Sequence, residues 1–79
     1  MSKEKLSSLL VREGFSVVGD NVWKIGRVLI MLVNGFLVVK YGDEGTLRFS
    51  FREDDVFDFM VIDGKLVIWY GEIQFTRRI

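Results

Sequence analysis

The side chains able to do chemistry here are carboxylates, lysines, arginines and aromatics; the chain has no histidine and no cysteine. That removes the commonest general base, the imidazole and thiolate metal ligands, and any disulfide. The densest acid cluster is Glu53, Asp54, Asp55 and Asp58. Its spacing, Asp54-Asp55-Val-Phe-Asp58, is one that on a helix holds magnesium diphosphate. The flanking residues read as turn and strand, which would carry Asp58 away from Asp54, so a solvated connection is expected. The serines have no histidine or obvious lysine base beside them. Gly42-Asp-Glu-Gly45 does not open a helix and is no phosphate loop. No set of groups converges on a pocket, so no catalytic residue, metal or cofactor is expected and the chain reads as non-enzymatic.

Binding chemistry is better represented. Arg27, Lys40 and Arg48 should lie in adjacent strands beside Phe36 and Met31, with Arg48 next to Lys40. Lys65 and Trp69 share the equivalent side of a later hairpin. Aromatic platforms beside a cationic track suit single-stranded DNA or RNA, where bases stack and phosphates pair with cations. A second reading uses the same residues differently. Met31, Val33, Phe36 and Val38 would pack between subunits of a homodimer or larger oligomer, with the cations as a solvated rim. Both readings stay open at this level.

The elements that must position these groups follow from periodicity. Ser2 can cap a helix in which Leu6, Leu9 and Leu10 share a face and Gly14 ends the run. Everything after it alternates as strand. Asn34-Gly35 between two apolar runs signals a type I′ hairpin, which pairs Val33 with Phe36, Met31 with Val38 and Leu29 with Lys40. Asp63-Gly64 signals another. Gly19-Asp20-Asn21 reads as a three-residue loop with Asn21 left-handed. Asp43, Glu44 and Gly45 read as a three-residue loop pairing Tyr41 with Leu47 and Val39 with Phe49. Apolar parity slips by one at Gly26 and again at Gly71, and a β-bulge is expected at each. The core should contain Leu6, Leu9, Leu10, Trp23, Ile30, Leu32, Val39, Phe49, Phe57, Phe59, Ile68 and Phe75.

Length and composition set the frame. Seventy-nine residues make a single domain, 1–79, and 49% apolar residues is high for so short a chain. The net charge is zero, yet residues 43–63 hold seven acids against two bases. The rest of the chain is correspondingly basic, so neutrality conceals two patches of opposite sign. Few asparagines and glutamines, with no cysteine, point to a thermophilic source. MSKEKLSSLL lacks the apolar centre of a signal peptide and no apolar run reaches membrane-spanning length, so a cytoplasmic protein without a membrane partner is expected.

The fold class this implies is α+β: an N-terminal helix packed on a bent antiparallel sheet of six or seven strands, connected as a hairpin meander. One short helix cannot cover such a sheet unless the sheet curls around it. With its LSSLL helix, following antiparallel sheet and aromatic strands LRFSF and VIWYG, the chain resembles in plan the small ThermoDBP-related single-stranded DNA-binding proteins of thermophilic archaea. That resemblance implies oligomers holding DNA along a hydrophobic, positively lined cleft between subunits.

Overall fold

The computed structural model describes all residues, 1–79, as one helix followed by eight strands. Helix α1 spans Lys3–Arg12. The Ser2 side chain accepts a hydrogen bond from the Lys5 N–H at 3.1 Å, and Glu4 and Arg12 sit at the dipole ends that favour their charges. At the other end Phe15 N–H donates to Leu10 O and Gly14 N–H to Val11 O, both at 3.0 Å. With Gly14 at φ 101°, that is a Schellman stop, which satisfies two otherwise orphaned carbonyls. Leu6, Leu9 and Leu10 face inward and are buried.

Strands β1 (Ser16–Gly19), β2 (Val22–Ile25), β3 (Val28–Val33), β4 (Phe36–Tyr41) and β5 (Thr46–Ser50) form a five-stranded antiparallel meander. Strands β6 (Phe57–Ile62), β7 (Lys65–Tyr70) and β8 (Ile73–Arg78) form a second, three-stranded one. The α+β class holds, but the single bent sheet of six or seven strands is replaced by two sheets. The physical reason lies at Arg52–Asp55. The Asp55 carboxylate accepts from Arg52 N–H at 2.7 Å and Asp55 N–H donates to Arg52 O at 3.1 Å, closing a turn that separates β5 from β6. The second sheet then folds back over the first and supplies the cover that one helix could not.

Both parity slips have the same explanation. Ile25 pairs with Val28 across Gly26-Arg27, and Tyr70 with Ile73 across Gly71-Glu72. These are two-residue hairpin turns with positive φ only at the leading glycine, 53° and 61°, which is the type II′ pattern. Residues flanking such a turn share a face, so an apolar spacing of three marks a reversal and not the expected bulge. The irregularity in pairing falls instead between Val17 and Gly19.

The hairpins at Asn34-Gly35 and Asp63-Gly64 have positive φ at both central residues and the expected pairs. Asn21 is left-handed at φ 59°. Between β4 and β5 the register lies two residues from expectation: Leu37 pairs with Phe49 and Val39 with Leu47. Facing is unchanged by a shift of two, so the core side stays apolar, but Arg48 now stands opposite Val38 and not Lys40.

The inner faces of the two sheets oppose each other. Phe49 on β5 meets Phe57, Tyr70 and Phe75, one from each strand of the second sheet, at ring centroids of 5.7, 5.4 and 5.1 Å. Trp23 donates its indole N–H to Ser7 Oγ at 3.1 Å and ties the first sheet to α1. Of the expected core residues, Leu32 and Phe75 are only half-buried at its margin, while Phe15, Val28, Leu37, Tyr41 and Leu66 join it.

Candidate nucleic-acid interface

Strand alternation sends one set of side chains in each sheet away from the core. On the five-stranded sheet the outward set falls into rows across the strands. One row is Ser16, Lys24, Leu29, Lys40 and Thr46; the next is Val22, Met31, Val38 and Arg48; a third is Val33, Phe36 and Ser50. Lys24 and Lys40 therefore flank Leu29, about 10 Å apart across two strand spacings. Arg48 lies diagonally from Lys40, and its guanidinium sits over the Phe36 ring at 4.6 Å.

These three are the only charged side chains on the five strands, and all are cationic. The acids between Ser16 and Ser50 are all in turns, at Asp20, Asp43 and Glu44. Lys24, Lys40 and Arg48 are exposed, as are Val33 and Phe36 at 44% and 37%. Met31 and Val38, which pair directly, are half-buried between them. The four residues expected at an interface thus form one contiguous apolar patch inside the cationic set.

The remaining sequence candidates are placed differently. Arg27 sits in the β2–β3 turn, lies against Gly42 and donates to Glu44 at 2.8 Å. That hydrogen bond raises the guanidinium's pKa and holds the Glu44 carboxyl below its usual range. Arg27 is a cation already matched with an acid. Lys65 and Trp69 are on the outer face of the three-stranded sheet, in rows with Arg78 and with Asp58 and Gln74. Because the inner faces oppose, this face points away from Phe36 and Arg48. The six candidates do not make one track.

Lys24 is the residue that sequence reasoning missed. Its signal was the Ile25-Gly26-Arg27-Val28 turn: read as a reversal, it sets Lys24 beside Leu29 and in line with Lys40. The aromatic-rich strands, by contrast, mostly supply the core. Phe49, Phe57 and Phe59 are buried there, while the two candidate platforms, Phe36 and Trp69, lie on the outer faces of different sheets.

The acid cluster has local partners. Asp55 accepts from Arg52 N–H and from the Tyr70 hydroxyl at 3.2 Å, and that hydroxyl lies 3.1 Å from Ser50 Oγ. Asp58 accepts from Arg12 at 3.2 Å and from its neighbour's N–H, that of Phe59, at 2.9 Å. No three acidic side chains converge in a way that would hold a metal ion. There is no pocket, and no helix is long and apolar enough to cross a membrane. Comparison with protein-family models, curated proteins and solved structures finds no match. What the outer face offers chemically is an open, shallow surface with three cations, one aromatic ring and an aliphatic floor.

Proposed function

We propose that the outer face of the five-stranded sheet binds single-stranded nucleic acid without strong sequence preference. One observation carries the reading: every charged side chain on these strands is a cation, and all three stand on the uncovered face, around Leu29, Met31, Val38 and Phe36. Lys24, Lys40 and Arg48 would hold phosphates, and Phe36 would stack a base once Arg48 swings from its ring to a phosphate. A stacked base contributes roughly 1–3 kcal/mol, and the backbone contacts make affinity fall with salt. With three phosphate contacts the log–log slope should be roughly −2, at about −0.7 per contact on a single strand. The reading does not lean on the resemblance of layout to the ThermoDBP-related proteins.

The test is fluorescence anisotropy of a labelled single-stranded DNA or RNA oligonucleotide across a salt series. Arg48→Glu and Lys24→Glu should each weaken binding and flatten the slope. No binding at low salt, or binding indifferent to salt and to both substitutions, would overturn it.

The exposure of Val33 and Phe36 favours a second reading, a non-enzymatic oligomeric module in which Met31, Val33, Phe36 and Val38 meet another copy. Val38→Asp separates the two. It would place an unpaired charge in such a contact and dissociate the oligomer. On a nucleic-acid face the new carboxylate, directly opposite Arg48, would instead weaken binding and flatten the salt slope while leaving the oligomeric state unchanged.

A further inference from the structure

Two sheets have four edges, and the structure treats them unequally. The first hairpin residues flanking a two-residue turn form a hydrogen-bonded pair, and alternation then fixes which main-chain groups point inward or away. On β6, paired Ile62–Lys65 at its turn, the outward residues are Phe57, Phe59 and Val61. Two of these are capped from the helix end: Arg12 donates to Phe59 O at 3.1 Å and Glu13 accepts from Val61 N–H at 2.9 Å. β1 has four residues and is interrupted between Val17 and Gly19. On β5 the middle residue is Arg48 and there is no acid, so a centred pairing with another β5 would set arginine against arginine. A slide by two would leave it opposite Thr46 or Ser50, with no carboxylate to meet it.

β8 has none of these protections. It is six residues long, regular throughout against β7, and all but Phe75 are exposed. Pairing of Tyr70 with Ile73 directs the main chain of Ile73, Phe75 and Arg77 toward β7, which the Ile79 N–H to Gly64 O bond at 3.0 Å continues. The N–H and C=O groups of Gln74, Thr76 and Arg78 therefore point out of the sheet, unpaired.

We propose that β8 joins a second copy of this chain, antiparallel across a two-fold axis through Phe75. In that register Gln74 faces Thr76 of the partner subunit, so the outward main-chain groups meet in hydrogen-bonded pairs. Glu72 faces Arg78 of the partner subunit, and the symmetry makes that opposite-charge pair twice. Phe75 meets its own symmetry mate at the close, non-hydrogen-bonded position. Sliding by two residues either way keeps the hydrogen-bond parity but leaves Arg78 opposite an uncharged residue. The sequence thus selects one register, and the two three-stranded sheets become one continuous sheet. The cationic face of the five-stranded sheet takes no part in this contact, so the proposal stands apart from nucleic-acid binding.

Sedimentation from micromolar to millimolar protein should show a monomer–dimer equilibrium. Amide exchange at Gln74, Thr76 and Arg78 should slow as the dimer fills, while Phe75 and Arg77 change little. Glu72→Arg and Arg78→Glu should each weaken dimerisation roughly tenfold or more, since each turns two attractive pairs into repulsive ones. The double variant, which restores both pairs in reverse, should recover it. Thr76→Pro, at a position whose N–H faces away from β7, should abolish the dimer; if it fails to fold, the charge reversals decide alone. A monomer at millimolar concentration would overturn the proposal. So would a dimer that the two charge reversals leave unmoved.

Discussion

Replacing Glu13 with alanine tests how far the helix end substitutes for a missing strand at β6. The Glu13 carboxylate accepts from Val61 N–H at 2.9 Å and from Arg12 at 2.9 Å, and its side chain is only 16% exposed. A hydrogen bond to a charged group contributes about 1.5–3 kcal/mol, and the orphaned N–H adds a desolvation penalty unless water reaches it. Arg12 is 54% exposed, so water does reach the margin of this site and the lower part of the range applies. We expect Glu13→Ala to cost about 1–2 kcal/mol, a drop in Tm of roughly 5–15 °C for a domain of this size. Glu13→Gln keeps an acceptor and should lose about half as much. The pH dependence follows from the carboxyl being held below its usual range, first by Val61 N–H and then by Arg12. A depressed folded-state value adds stability that is complete above the unfolded carboxylate range. It is lost as pH falls through the folded value. The gap between wild type and Glu13→Ala should therefore be full at neutral pH and close in acid. Thermal unfolding followed by circular dichroism at both pH values measures it. Equal Tm values at neutral pH, or a gap that persists undiminished in acid, would refute the view that this carboxylate seals the strand edge.

Phe59, 1% exposed beneath the second sheet, should cost roughly 3–5 kcal/mol when truncated to alanine, measured by urea unfolding. Gly26 occupies φ 53° with Ile79 Cγ2 only 2.7 Å from where a Cβ would stand, so Gly26→Ala should destabilise by about 1–3 kcal/mol through backbone strain alone. Pairing that change with Ile79→Ala should recover only the steric part, which a double-mutant cycle would isolate.

Turns and strand faces were the legible part of this sequence. Asn34-Gly35 and Asp63-Gly64 set their registers because only positive φ at both residues closes a two-residue turn with the right twist. Gly26 and Gly71 were misread because a bulge and a glycine-led reversal leave the same parity slip in one dimension. The distinction lies in which strands then pair. The Thr46–Ser50 register was off by two because parity arguments cannot distinguish shifts that preserve facing. The division into two sheets depends on the Arg52–Asp55 turn, whose hydrogen bonds look in sequence like any charged connection. For the candidate site, this meant that Phe36, Lys40 and Arg48 were correctly set on one face. The conflict over Lys65 and Trp69 is a matter of layers: two hairpins with matching patterns face the same way in a single sheet and opposite ways in a folded-over pair.

That layering also changes what zero net charge means. A neutral sequence argues against bulk attraction to nucleic acid, and the acidic stretch 43–63 argues against it further. Yet several of those acids are held locally: Glu44 by the Arg27 guanidinium, Asp55 by the Arg52 main-chain N–H and the Tyr70 hydroxyl, Asp58 by the Arg12 guanidinium. None stands on the strands that carry Lys24, Lys40 and Arg48. At physiological ionic strength charges interact appreciably only over about 8 Å, so a phosphate at that face responds to the cations beside it far more than to the molecule's total. Such a surface lacks a long-range pull. Its salt sensitivity should appear mainly in how fast a bound strand leaves and hardly in how fast it arrives, the opposite of a polybasic protein that steers its ligand from a distance.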